Sequence, residues 1–166
     1  IECSTRPIAI THANPSRWHP ALRNKSDSVL RALSDSGGMI GFSLYPHHLA
    51  EGSACTLDSF CQMIADTAED MGIDHIGIGS DLCQDQPDSV VEWMRNGRWT
   101  REKDFGEGSK ASPGFPGQPA WFKDNRDFPS LRAGLKKVGL DETAVNAVMG
   151  DNWLRFFEKS FGPEQT

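Results

Sequence analysis

Three short apolar runs alternate along the first half of the chain with longer segments of helical spacing. Residues 7–11 (PIAIT) form a brief apolar run bounded by Pro7 and followed by HANPSRWHP, the composition of a strand that opens into a loop. From Ser26, a good N-cap, DSVLRALSDSGG sets Val29, Leu30 and Leu33 on one helical face and stops at Gly37 and Gly38. Residues 39–45 (MIGFSLY) read as a second strand leading into the polar loop PHHLAEGSAC. Thr56 caps the strongest helical pattern, in which Leu57, Phe60, Cys61, Ile64, Ala65, Ala68 and Met71 recur at steps of three and four before Gly72. A third strand, Ile76 to Gly79, alternates isoleucine with glycine, so one face is bulky and the other is bare enough for a backbone or a ligand to approach. The order strand, helix, strand, helix, strand, with crossovers of this length, predicts an α/β fold with parallel strands.

Beyond Asp81 the regularity breaks. Asp88 is placed to cap a short helix, SVVEWMRN, and residues 97–127 are rich in Gly, Pro and aromatics. A loop of that length is either a lid or an insertion that packs on a partner, and its aromatics argue against plain disorder. Two helical patterns follow, one with Leu131, Leu135 and Val138 inward, the other capped by Asp141 with Val145, Val148 and Met149 inward; Trp153, Leu154, Phe156 and Phe157 extend it to Phe161. The whole chain, 1–166, reads as a single domain with an insertion at about 97–127.

Composition narrows the function classes. Seventeen Lys and Arg against 23 Asp and Glu give a net charge of −6, which leaves no basic surface for a phosphate backbone and excludes nucleic acid as an expected partner. No apolar run approaches a membrane span. The N-terminus IECSTRP lacks Met, as expected of a chain that begins inside a longer one. Cys3, Cys55, Cys61 and Cys83 show no CxxC spacing and read as free thiols, apart from a conceivable Cys55 to Cys61 bridge; free thiols lean toward a cytoplasmic setting.

Chemistry gathers where strands end. In parallel sheets ligands bind beyond the carboxyl ends of strands, which is where Asp81 and His12 both stand, the first as a carboxylate suited to proton transfer and the second as an imidazole suited to a metal. Each has a plainer alternative, a turn residue or cap for Asp81 and a hydrogen-bonded structural residue for His12. Arg23, in HPALRN, can grip a carboxylate with two prongs or simply be solvated. His47 and His48 are neighbours expected to point apart rather than chelate, and His19 and His75 read as surface or interface residues. No GxSxG, P-loop or dinucleotide fingerprint is present.

Taken together, PIAITHANP, HPALRN, the GG before MIGFSLY, DHIGIGSDL and VMGDNWLRFFE resemble, in order and separation, the carboxyl half of the membrane dipeptidase family, peptidase family M19. The resemblance spans nearly the whole chain outside residues 97–127. It implies the carboxyl-terminal part of a (β/α)8 TIM-type barrel, with three parallel strands, their helices and further C-terminal helices. It also implies a zinc-dependent dipeptidase with two zinc ions bridged by a glutamate and a water. By this resemblance His12 ligates one zinc, Arg23 holds the terminal carboxylate of the dipeptide, Asp81 transfers a proton, and Tyr45 lines the pocket wall. Members occur both anchored outside cells and inside bacteria, so compartment stays open, and a homodimer is possible.

Two departures matter. The family continues past its aspartate as DFDG where this chain has DLCQD, which brings Cys83 toward the pocket, and the family's HxD pair, bridging glutamate and second ligand histidine are absent from this sequence. The chain alone is therefore expected to bind zinc poorly and to lack dipeptidase activity until joined to the missing N-terminal barrel half. The alternative is a small, non-catalytic α/β module, derived from such an enzyme, that binds a ligand or partner.

Overall fold

The computed structural model describes residue 1, residues 3–96, 102, 105, 109–111 and 114–162. Strands β1 (Ala9–Ala13), β2 (Met39–Phe42) and β3 (Ile76–Ile78) form one parallel sheet in the order β1-β2-β3. Helices α1 (Asp27–Asp35) and α2 (Leu57–Met71) make the crossovers between them. Both begin as the sequence leads one to expect: Ser26 Oγ accepts from the Val29 N–H and Thr56 Oγ1 from the Ser59 N–H, each satisfying one otherwise unpaired amide of a first turn.

The bulky face of the sheet makes the core. Ile40, Phe42 and Ile76 are fully buried against Leu30, Leu33, Phe60 and Ile64 of the two crossover helices, and the Phe42 and Phe60 rings meet edge to face at 6.5 Å. Burial of each such side chain contributes roughly 1.5–3 kcal/mol, so this layer is the main force closing the helices onto the sheet. The glycine face is filled from the other side. Gly41 and Gly79 lie against the Thr11 carbonyl and Gly77 against the Trp153 indole, and a Cβ at any of the three would collide with these groups. The bare face is thus occupied by a second backbone and an aromatic ring.

Trp153 belongs to the last helix, α6 (Asn152–Phe161), which follows α3 (Asp88–Asn96), α4 (Phe128–Lys137) and α5 (Glu142–Asn146). Gly79 N–H donates to the Phe42 carbonyl, so residue 79 faces β2; the carbonyls of Ile76 and Ile78, on the opposite parity, face outward. Asn152 Nδ2 donates to the Ile76 carbonyl at 2.6 Å and Trp153 Nε1 to the Ile78 carbonyl at 3.0 Å. Two side chains therefore satisfy carbonyls that an edge strand would otherwise expose.

Several expectations need correction. β2 stops at Phe42 instead of reaching Tyr45, because the Ser43 N–H and carbonyl are both taken by the Asn14 side chain and the chain then turns into a 3-10 turn at Pro46–His48. β1 runs later than PIAIT and takes His12 inside it, with a register shift between Ile10 and Ala13. Val29 and Leu154 are exposed rather than inward, and Phe157 is about half exposed. Asp88 is the first residue of α3 and its carboxylate accepts from the Phe115 N–H. All four cysteines are free, so Cys55 and Cys61 are not bridged. Within the long aromatic segment, Phe122 is completely buried and packs on Phe128, and Trp121 donates from Nε1 to the Cys55 carbonyl. Its final third is therefore scaffold, while most of residues 97–113 lie outside the described residues.

Candidate functional site

Parallel strands put their carboxyl ends on one edge. Ala13 pairs with Phe42 and Phe42 with Ile78, so His12 inside β1, Tyr45 three residues past Phe42 and Asp81 three residues past Ile78 all leave the sheet on that edge. β1 and β3 share the sheet but are separated by β2. His12 is half-buried and its Nδ1 lies 2.9 Å from the Thr11 hydroxyl. Its Nε2 then remains as the ring nitrogen able to meet a metal, the arrangement in which a ligand imidazole is oriented through its other nitrogen. Asp81 sits in the left-handed region at φ +53°, a conformation that costs an L-residue about 1 kcal/mol and is most tolerable for Asn and Asp. Leu44 N–H to the Ser80 carbonyl, 3.1 Å, ties the Asp81 turn to the segment carrying Tyr45.

A buried polar knot lies beneath this edge. Asn14, fully buried and two residues past His12, donates from Nδ2 to the carbonyls of Ser43 (3.0 Å) and His48 (3.1 Å) and accepts the Ser43 N–H on Oδ1 (2.9 Å). Asn24, also buried, accepts the Asn14 N–H on Oδ1 at 2.9 Å and donates from Nδ2 to the carbonyls of His19 (2.8 Å) and His48 (3.0 Å). The Ser43 hydroxyl accepts the Tyr45 N–H and lies 2.8 Å from His48 Nδ1. The hydroxyl oxygen keeps a second lone pair and its own proton, so this contact serves either tautomer of the neutral ring.

Burial holds His48 in the neutral form, and the nearby positive charges of Arg23, His12, His47 and His19 reinforce the effect, lowering its pKa from 6.5 to about 4. Tyr45 packs on the His48 ring, with centroids 5.1 Å apart, and on His47 at 5.5 Å. Tyr45 therefore covers His48, while Asp81 leaves the sheet on the same edge by strand register. Cys83 is half-buried and its thiol donates to the Asp81 carbonyl; burial first and the Asp81 carboxylate second push its pKa up, so it stays a thiol. Arg23 is exposed, and among the described residues its guanidinium takes part in no ion pair.

Sequence reasoning missed Asn14, Asn24, Ser43 and His48. Nothing in periodicity marks them, since they stand in loops where Asn and Ser are ordinary; the one available signal was a pair of asparagines flanking a segment that ends in Arg23. His48, expected to point away from His47 rather than chelate with it, is engaged at Nδ1 by the Ser43 hydroxyl. His75, expected at a surface or interface, is half-buried with Nδ1 2.8 Å from the Gly38 carbonyl. As for a metal, His12 fits a ligand by its free Nε2, but among the described residues no group of three or more His, Cys, Asp or Glu gathers to complete a coordination sphere. Among the described residues, His12 is the one metal donor that the resemblance assigns.

Comparisons with known proteins bear on the fold and the family. The chain is 27% identical over 161 residues to dipeptidase ataJ of Aspergillus terreus, spanning 96% of this chain and 32% of that protein. It is 37% identical over 156 residues to an uncharacterised protein in the pqqA 5′ region of Klebsiella pneumoniae, spanning 92% of this chain and 46% of that one. In three dimensions it matches an amidohydrolase from Pseudomonas aeruginosa with a TM-score of 0.82 and 30% identity, over 96% of this chain and 47% of that chain. The chain thus spans less than half the length of these relatives, and the match supports the expected fold, the carboxyl-terminal part of a TIM-type barrel. With the membrane dipeptidase model matching residues 1–95, over the strands and loops that carry His12, Arg23, Tyr45 and Asp81, the chain belongs to the membrane dipeptidase family, peptidase family M19.

Proposed function

We propose that this chain is the carboxyl-terminal share of a zinc-dependent dipeptidase, active when joined to the strands that supply the remaining metal ligands. The feature that supports the reading is that His12, Tyr45 and Asp81 leave the sheet on one edge, while Asn24, next to Arg23, accepts the Asn14 N–H just past β1. Two zinc ions, when bound, would supply an activated water and a polarised peptide carbonyl. His12 would hold one of them through Nε2, with Thr11 fixing the ring. Arg23 would take the free carboxylate of a dipeptide in a two-pronged contact, which orients the peptide bond and disfavours longer peptides. Asp81 would accept a proton from the attacking water and return it to the leaving amine, a role that needs a carboxylate held at one place; the left-handed turn and the Leu44 to Ser80 bond hold it. Tyr45 would form one wall.

The test is a kinetic one on the chain joined to the missing half. Asp81→Asn is expected to lower kcat at least a hundredfold with a smaller change in KM. A variant that keeps full kcat would exclude Asp81 as the proton carrier.

A second reading, a non-catalytic α/β module, draws on one feature. The outer edge of β3 is closed by Asn152 and Trp153, as in a sheet that needs no further strand there. It predicts that the chain by itself is a stable monomer and that adding the missing half yields no zinc-dependent cleavage of any dipeptide.

A further inference from the structure

Arg23 has a long, exposed side chain, and the segment leading to it projects into solvent, with Leu22 91% exposed. A two-pronged contact to a carboxylate is specific only when the backbone beneath the guanidinium is fixed, because the side chain adds several rotatable bonds of its own. What fixes that backbone is the next residue. Asn24 Nδ2 donates to the carbonyls of His19 and His48 while its Oδ1 accepts the Asn14 N–H. Past it, the Lys25 N–H donates to the Asn14 carbonyl at 2.9 Å, the Ser16 N–H donates to the Lys25 carbonyl at 2.8 Å, and Lys25 Nζ donates back to the Arg23 carbonyl. Asn14 is two residues from His12, and the His48 carbonyl lies three residues past Tyr45. One amide side chain therefore refers the Arg23 backbone both to the strand end that bears His12 and to the loop that bears Tyr45.

We infer that Asn24 is a positioning residue for substrate binding: its three hydrogen bonds fix where the Arg23 backbone stands relative to the strand end that bears His12. The inference rests on the reading of Arg23 as the anchor for a dipeptide carboxylate. Asn24 touches no substrate and acts through its neighbour. Its loss should therefore weaken the grip on the carboxylate and leave the chemistry at the peptide bond nearly intact.

The experiment compares a free dipeptide with the same dipeptide as its carboxyl-terminal amide, on the chain joined to the missing half. Asn24→Ala is expected to raise KM for the free dipeptide about tenfold with kcat within about threefold. KM for the amide, which offers Arg23 no carboxylate, should be nearly unchanged, and Arg23→Gln/Asn24→Ala should be no worse than Arg23→Gln. In the 166-residue chain itself, the same substitution should speed amide hydrogen exchange at Ser16 and Lys25 and leave Ile40 and Ile76 protected. If Asn24→Ala does not fold, Asn24→Ser serves, with the same expectation. Equal losses for free dipeptide and amide, or an unchanged KM for Asn24→Ala beside a raised one for Arg23→Gln, would overturn the positioning role alone. An unchanged KM for Arg23→Gln would overturn the anchor, and the positioning role with it.

Discussion

Acid should loosen this fold through His48. The residue is 5% exposed with its Nδ1 2.8 Å from the Ser43 hydroxyl, and protonation would place a charge in a desolvated site. Its pKa is lowered to about 4 in the fold against 6.5 in the unfolded chain, so the unfolded state takes up the proton first. The stability this confers is fully present above pH 6.5 and drains away as pH falls toward 4. At about 1.4 kcal/mol per pH unit, the loss over that window is about 3 kcal/mol. Carboxylates also titrate near its lower end, so the contribution is isolated by comparison with His48→Asn, whose side-chain amide can meet the Ser43 hydroxyl as donor or acceptor without titrating. Urea unfolding of both proteins between pH 7.5 and 4, with a chelator present, gives the two stability curves. The wild-type advantage should shrink by about 3 kcal/mol across the window. Curves that run parallel would show that His48 does not resist protonation in the fold, and the neutral-histidine knot would be wrong.

Three further outcomes follow from the packing and the donor set. Gly79→Ala should prevent stable folding, since the added Cβ collides with the Thr11 carbonyl, and circular dichroism of the purified chain would show it; a well-folded variant would mean that β1 does not approach β3 this closely. Trp153→Phe should cost about 1 kcal/mol in urea unfolding by removing the donor to the Ile78 carbonyl while keeping the ring; no loss would mean that water replaces the indole there. Purified 166-residue chain should hold fewer than two zinc ions by elemental analysis, because His12 is its one assigned ligand.

Where hydrophobic spacing was strong, the sequence was a good guide to the elements. Helix α2, with its Thr56 cap and Gly72 stop, and the three-strand parallel order both emerge from periods of 3.6 and 2 that core packing enforces. Strand ends were less legible, because they depend on who takes each backbone hydrogen bond: β2 ends where the Asn14 side chain claims Ser43, a partnership 29 residues distant in sequence. The exposure of Leu154 and Phe157 could not be read from spacing either, since an apolar helical stripe does not say whether anything covers it. For the site, His12, Arg23 and Asp81 were visible as chemistry-bearing residues at strand ends or in loops. Asn14 and Asn24 were invisible, because a buried hydrogen-bonding asparagine and a solvated one look alike in sequence.

As proposed, this chain contributes one metal ligand, His12, to a two-zinc site completed by a missing half. Counting zinc in the assembled protein tests it most directly. The wild-type assembly should hold two ions per molecule and His12→Ala about one, with thermal unfolding confirming that the variant is folded. Two tightly held ions in His12→Ala, or none in the wild-type assembly, would contradict it.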